Sequence, residues 1–308
     1  MNGAAQTAPS VRHATAGQTV GVLGATSLVG RPLLPLLAAG GRHVLPCSRA
    51  PAPAGWCRPG ATPDGRGAVS SWITLCPLWC LPDHLDWIAA LGAQTLVALS
   101  STSVVTKRHS VSAAERRVAA ALAQAEAEVA DWATRRGVRA CILRPAMIYD
   151  GTSDGNVTAI ARFVRRTGCF PVCGTASGLR QPVHAADVAA ACAAALDAER
   201  LEPRYDLSGG ETLSFRDMVL RTCAAEGLPP RLVSLPPVLW QLLLPVAHAF
   251  GLGRGMSLGM ARRMNDDLVF DHSAAARDLG YRPRTFLPHA ADRLDRPGTR
   301  AGAARDGR

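Results

Sequence analysis

The run Thr19-Val-Gly-Val-Leu-Gly-Ala-Thr-Ser-Leu-Val-Gly30 constrains this chain more than any other segment. It reads as a short apolar strand that turns tightly and opens a helix over about Leu28 to Ala39. Thr26 or Ser27 is placed to cap that helix, Pro32 falls in its first turn, and Gly40-Gly41 ends it. Gly24 lets the backbone reverse, and Gly30 lets the helix lie close to the strand. The first turn of a helix also has unsatisfied N–H groups and the positive end of the helix dipole, so a turn without bulky side chains is a ready anion cradle. The middle of the pattern is Ser27, small enough for close approach and with a hydroxyl able to donate to a phosphate oxygen. Gly24, Thr26, Ser27, Leu28, Val29 and Gly30 are the candidate phosphate-binding residues. The competing reading is a glycine-rich packing turn.

The rest of the chain repeats the strand-to-helix alternation. His43 to Ser48 is a second strand, Ser71 to Cys76 the next, Asp83 to Leu91 a short helix, and Thr95 to Ser101 an apolar strand. The longest helix runs from Ser112 to about Arg136, with Ser112 and Glu115 spaced as a capping box and Gly137 closing it. Arg139 to Tyr149 follows as a strand. Residues 50–68, rich in proline and glycine, are expected to hold a reduced third strand. The fold class is therefore α/β, a doubly wound parallel sheet. After Asp150 the helices 156–167, 185–196 and 214–226 alternate with short strands such as Tyr205–Ser208. They read as a smaller C-terminal lobe interleaved with the sheet. The expected division is a leader over 1–17, a nucleotide-type domain over 18–150, the lobe over 151–291 and a tail over 292–308, with leader and tail disordered.

Charge and cysteines exclude several functions. The formal net charge is +10, but Lys107 is the only lysine, and the abundance of Arg and Ala fits the codon bias of a GC-rich genome. No block of basic residues is interleaved with aromatics, so no nucleic-acid partner is expected. The nine cysteines do not form paired zinc-ligand spacings, so no metal is expected, and they suit free thiols in a reducing, cytoplasmic compartment. The most apolar stretch, Pro236 to Leu252, is followed by Arg254, Arg262 and Arg263. It reads either as a helix buried against the lobe or as an interfacial helix with Trp240 in the lipid boundary, which would make the protein peripheral to the inner face of the membrane.

The second strand ends in Ser48-Arg49 with no acidic residue. A nicotinamide-binding fold tests the adenosine ribose at this place, where an acid accepts from the 2′-hydroxyl and an arginine pairs with a 2′-phosphate. Ser48 and Arg49 thus favour NADP over NAD, against the alternative of a solvated loop arginine.

Five motifs in order resemble the extended short-chain dehydrogenase/reductase superfamily in its NAD-dependent epimerase/dehydratase branch. They are Gly24–Gly30, the serine-rich Leu99-Ser-Ser-Thr-Ser103, Leu143-Arg-Pro-Ala-Met-Ile-Tyr149, Arg180-Gln-Pro-Val-His-Ala-Ala-Asp187 and Asp278-Leu-Gly-Tyr-Arg-Pro-Arg284. The resemblance spans about Thr19 to Pro288 and implies a Rossmann-type sheet with substrate between two lobes. It implies Ser100, Arg144 and Pro145 near the cofactor. It also implies Ser101, Thr102, Tyr149, Asn156 and Arg180 as substrate contacts, with Ser101, Thr102 and Tyr149 as candidate catalytic groups. His184 and Asp187 read as helix-capping rather than ligand-binding.

The chain departs from that family at its chemistry. No tyrosine has a lysine four residues on, although the family's Tyr-x-x-x-Lys pair on the long helix normally manages the proton during hydride transfer. If Glu126 matches the acidic residue that follows the pair, its places hold Val118 and Leu122; if Glu128 does, they hold Ala120 and Gln124. Lys107, on the loop before the long helix, reads either as a solvated loop lysine or as a residue that reaches the site. Whether the protein is an enzyme stays open. One reading is a divergent oxidoreductase or epimerase acting on a sugar nucleotide or similar small molecule. The other is a catalytically silent nucleotide-binding sensor or assembly factor, such as the complex I accessory subunit of this superfamily, with a membrane-peripheral variant.

Overall fold

The computed structural model describes residues 17–49, 53–61, 67–229, 231–242 and 257–287. Six parallel strands form the main sheet: β1 (Thr19–Leu23), β2 (His43–Cys47), β3 (Ser71–Thr74), β4 (Thr95–Leu99), β5 (Arg139–Pro145) and β10 (Arg204–Leu207), in the order β10-β5-β4-β3-β1-β2. Every pairing in it is parallel. Parallel strands need crossover helices, so both faces are covered and the strands read as apolar runs rather than alternating ones.

Strand geometry still sorts the side chains. Val20, Val22, Ile73, Val97 and Cys141 face α1 (Gly30–Ala39) and α6 (Ala185–Asp197), whereas Leu45, Trp72, Leu96, Ala98 and Ile142 face α4 (Ala113–Arg136). Gly21 sits inside β1 for a packing reason: a Cβ there would lie 2.4 Å from the Trp72 ring. Among the described residues of 50–68, the expected third strand is reduced to one parallel bridge, Cys57 beside Cys47.

The lobe is tied to the sheet at two places. β10 lies after the first lobe elements yet joins the sheet edge beside β5, and α6 packs on the main core. The remainder has its own core, in which α5 (Val157–Thr167), α7 (Phe215–Ala225) and the parallel pair β7 (Phe170–Cys173) and β12 (Leu232–Leu235) bury Ile160, Phe170, Phe215, Met218 and Met264. The expected single strand 139–149 is broken: β5 ends at Pro145, and Ile148–Tyr149 pair instead with Val183–His184 in the lobe. That step carries the chain from the sheet to the lobe.

His184 caps α6 through Nδ1, which accepts from the Ala186 N–H at 3.1 Å. Asp187 does a different job, receiving the backbone N–H and guanidinium of Arg284. The motif 278–284 is thereby pinned to the lobe, and Tyr281 donates to the Ser208 carbonyl.

Trp240 is buried in the lobe core rather than presented to a lipid boundary. Residues 243–252 of the apolar stretch, and the leader and tail apart from Gly17, lie outside the described residues. Among the described residues no helix is long and apolar enough to cross a membrane. All nine cysteines are free.

The capping box of α4 is half made. Ser112 accepts from the Glu115 N–H, but the Glu115 carboxylate turns away to pair with Arg263 on α8 (Leu258–Arg263). A Cβ at Gly259 would lie 2.6 Å from Glu115 Oε2, so a glycine is what lets α8 approach this ion pair. The hydrogen bond from Arg263 holds the Glu115 carboxyl down to about 2, against burial, which raises it. A depressed carboxyl pKa stabilises the fold fully above the unfolded value, and the gain is lost as the pH falls through the folded value. The contribution of Glu115 is therefore complete above its ordinary 4.5 and disappears on acidification toward 2. In acid titrations followed by circular dichroism, Glu115→Gln is expected to be less stable than wild type at pH 6, and the gap is expected to close between these values. A gap independent of pH would show that the substitution acts through packing.

Candidate functional site

The first part of the site is the turn after β1. It lies where the strand order reverses, between β2 and β3, which is the crevice position of open α/β sheets. The N–H groups of Gly24 and Ala25 are taken by the Cys47 carbonyl, and that of Ser27 by the Gly24 carbonyl. Ser27 Oγ accepts from the Gly30 N–H at 3.1 Å, so the serine closes the turn while its own O–H stays available. α1 starts at Gly30, two residues later than expected. The N–H groups of Thr26, Leu28 and Val29 donate to no partner among the described residues. Room for a ligand's oxygens is kept by the two glycines: Gly24 has φ +82°, and a Cβ on it would lie 2.6 Å from the Cys76 nitrogen. A Cβ on Gly30 would lie 2.2 Å from the Ala25 carbonyl oxygen. Free N–H donors, a helix N-terminus and enforced bareness are what a phosphate needs.

At the end of β2, Ser48 is buried and its N–H donates to the Cys57 carbonyl, while Arg49 is exposed. The bridge at Cys57 thus fixes the backbone from which Arg49 projects.

The second part is a cleft of about 530 Å³ at the C-terminal edge of β4 and β5, closed on its far side by the lobe. That is room for a nucleotide-sized molecule. Of the predicted residues it gathers Ser100, Ser101, Thr102, Pro145, Asn156 and Arg180. Their polar atoms are unequally free. Ser101 Oγ accepts from the Ser103 N–H, Thr102 Oγ1 donates to the Pro145 carbonyl, and Asn156 Nδ2 donates to the Ile148 carbonyl. The Arg180 guanidinium donates to the carbonyls of Leu179, Asp266 and Arg263 and lies over the Phe215 ring. It therefore ties β8 (Leu179–Arg180) to the segment after α8.

Two predicted residues are turned elsewhere. Tyr149 is buried in the lobe core between His184 and Phe286, where burial pushes its phenol up, and it is not among the cleft's lining residues. Arg144 also points away from the cleft. Its guanidinium forks onto Glu126, whose Oε1 accepts from Nε at 2.8 Å, and Ser100 Oγ donates to the same oxygen at 2.6 Å. Glu126 is buried, whereas Glu128 is exposed and accepts only from Gln124. Glu126 is thus the acid of the long helix that faces the sheet, and the residues eight and four positions before it are Val118 and Leu122. Leu122 lies in the core cluster and Val118 packs against it, an apolar wall.

Sequence reasoning placed Ser103 of the serine-rich motif here, but missed Thr106, Glu115, Gln181, Met260 and Arg263, which also line the cleft. Of the two readings of Lys107, the structure has the one that reaches the site: the residue is half-buried and lines the cleft. No local residue pattern marks α8 as a cleft element; tertiary packing alone brings it there.

A parallel sheet with a bare glycine turn at the strand reversal and a cleft beside a serine-rich strand end is a Rossmann-type α/β arrangement. Residues 83–207 match the model of the NAD dependent epimerase/dehydratase family, a segment that holds the serine strand, the Arg-Pro strand and His184–Asp187 but not the glycine turn. Among curated proteins, the uncharacterized protein y4nG of Sinorhizobium fredii is 30% identical over 153 residues, covering 49% of this chain and 37% of that protein. Mitochondrial NADH dehydrogenase [ubiquinone] 1 alpha subcomplex subunit 9 of Arabidopsis thaliana is 32% identical over 119 residues, covering 37% of this chain and 27% of that protein. The matches thus span well under half the length of these relatives.

Among solved structures, UDP-N-acetylglucosamine 4-epimerase from Bacillus cereus aligns with a TM-score of 0.66 at 14% identity over 88% of this chain and 93% of the other. UDP-glucose 4-epimerase of Thermus thermophilus in complex with NAD aligns at 0.62 and 17%, over 88% and 96%. RMD from Pseudomonas aeruginosa, complexed with NADPH, aligns at 0.60 and 16%, over 88% and 95%. These similarities establish the fold.

Removing one member of a buried ion pair leaves the other charged and unsolvated, at a cost of about 3–5 kcal/mol. Glu126→Ala is therefore expected to lower the unfolding free energy by roughly that amount, and Glu128→Ala by less than about 0.5 kcal/mol. Denaturant titration of the two variants compares them directly; equal effects would remove Glu126 from its place under the sheet.

Proposed function

We propose that this chain is an NAD(P)-binding protein of the epimerase/dehydratase type whose cleft takes a sugar nucleotide or a similar small molecule. The observation that carries the reading is the turn after β1, where Thr26, Leu28 and Val29 offer N–H groups and Gly24 and Gly30 admit no side chain. In that reading the turn holds the pyrophosphate, and Ser27 adds its hydroxyl. Arg49 supports NADP over NAD, because an exposed guanidinium at the end of β2 can take a 2′-phosphate in a bidentate grip and no acid competes for the ribose. The nine free thiols suit a reducing compartment such as the cytoplasm.

A bound nicotinamide would supply the hydride chemistry. The chain's own residues would hold the dinucleotide, shape the cleft and orient the ligand beside Ser101 and Thr102. With Val118 and Leu122 on the wall where the family carries its proton-handling pair, general acid–base help worth roughly 10²–10⁴ in rate has to come from other groups. Slow turnover with simple alcohols and ketones, alongside firm cofactor binding, is the expected behaviour.

Fluorescence titration tests the cofactor. The loss of a charge-assisted bidentate contact costs about 1.5–3 kcal/mol, so Arg49→Ala should weaken NADPH binding roughly 10- to 100-fold. NADH binding should hardly change. Equal losses for both cofactors would make Arg49 structural. Any dehydrogenase or epimerase activity should survive Tyr149→Phe within a few-fold, because Tyr149 packs into the lobe core. Activity abolished by that change would place the phenol in the chemistry.

A further inference from the structure

We propose that Lys107 is the ligand anchor of the cleft, gripping an oxyanion (a phosphate or a carboxylate) of the molecule bound beside Ser101. The inference rests on the reading of this cleft as a ligand site and adds the chemistry of the ligand that it selects.

Lys107 follows α3 (Ser103–Thr106), the single helical turn that leaves the serine-rich end of β4. Its N–H donates to the Ser103 carbonyl, so its backbone is fixed to the strand end. The residue lines the cleft with Ser101, Ser103, Thr106 and Asn156. Its ammonium forms no hydrogen bond and no ion pair within 4.0 Å among the described residues.

The surrounding charges do not compensate it. The nearest carboxylate, Glu115, is committed to Arg263, which itself lines the cleft. Arg180 adds a third cation, satisfied by carbonyls rather than by a carboxylate. Asp266 and Asp267 offset Arg180 in part, but neither is among the lining residues. The cleft thus presents three cations against one anion. Burial and the repulsion of Arg263 push the Lys107 amine below its ordinary value, and Glu115 offsets this only in part. Burying a charge is costly unless it is paired. A half-buried ammonium in a cleft that Arg263 and Arg180 also line gains that pairing from an anionic ligand, in a low-dielectric site where the attraction exceeds that in water.

A single lysine gives the test an unusual clarity, since every acylated lysine in the full-length chain is Lys107. The chain is acetylated with acetic anhydride alone or with inorganic pyrophosphate, glucuronate or glucose, and the Lys107 peptide is quantified by mass spectrometry. Slower acylation with pyrophosphate or glucuronate, and none with glucose, is expected; pyrophosphate alone assigns a phosphate, glucuronate alone a carboxylate. The protecting probe should bind Lys107→Met roughly 10- to 100-fold more weakly, the size of a lost charge-assisted contact, and Lys107→Arg nearly as well as wild type. NADPH affinity, measured separately, should be unchanged in both variants, which also shows that they fold.

Protection by either oxyanion supports the anchor even if the chain binds no NADPH. Absence of protection by both overturns it even if NADPH binds. Equal protection by glucose, or unaltered oxyanion affinity in Lys107→Met, overturns it as well.

Discussion

The buried carboxylate of Glu126 organises the centre of this molecule. It joins α4 to two adjacent strand ends, taking the Arg144 guanidinium from β5 and the Ser100 hydroxyl from β4. Each group would be expensive to bury alone, and together they satisfy one another. The consequence reaches the surface of the site. With the Arg144 guanidinium and the Ser100 hydroxyl spent below, Ser100 lines the cleft beside Ser101, Thr102, Ser103 and Pro145 without offering its own O–H. The same network fixes the rotation of α4, and that rotation sets Leu122 into the core.

A second constraint is the absence of side chains. The turn after β1 stays bare because its backbone approaches neighbouring backbone too closely for a Cβ at Gly24 or Gly30. The turn and the cleft are therefore built differently. The first uses backbone N–H groups of a rigid strand-to-helix turn. The second uses side chains from β4, β5, α3 and α8, elements that meet only because the lobe folds back over the sheet edge. The Glu115–Arg263 pair ties that lobe to the N-terminus of α4, which keeps the lobe over the cleft.

The pattern of agreement with the sequence follows from the range of the interactions involved. The strands and their parallel order, the turn, the long helix and the interleaved lobe were legible because each is set by hydrophobic runs, glycines and caps within a few residues of one another. The break of 139–149 after Pro145 was not, since pairing of Ile148 and Tyr149 with Val183 and His184 is a contact across more than thirty residues. Tyr149 looked like a cleft residue for the same reason. Its motif is local, but the direction of its ring is decided by Phe286 and His184.

By itself the sequence determined the glycine-bounded strand-to-helix turn, the arginine at the end of β2 and the absence of a tyrosine–lysine pair, because these are statements about residue type and short spacing. Only the tertiary structure decided which of Glu126 and Glu128 faces the sheet, that Arg144 and Arg180 spend their donors on protein acceptors, and that Lys107 enters the cleft. The physical reason is that a polar side chain's role depends on what remains unpaired around it. That remainder is fixed when distant segments such as α4, α8 and the serine-rich strand end come together and divide the available hydrogen-bond partners among themselves.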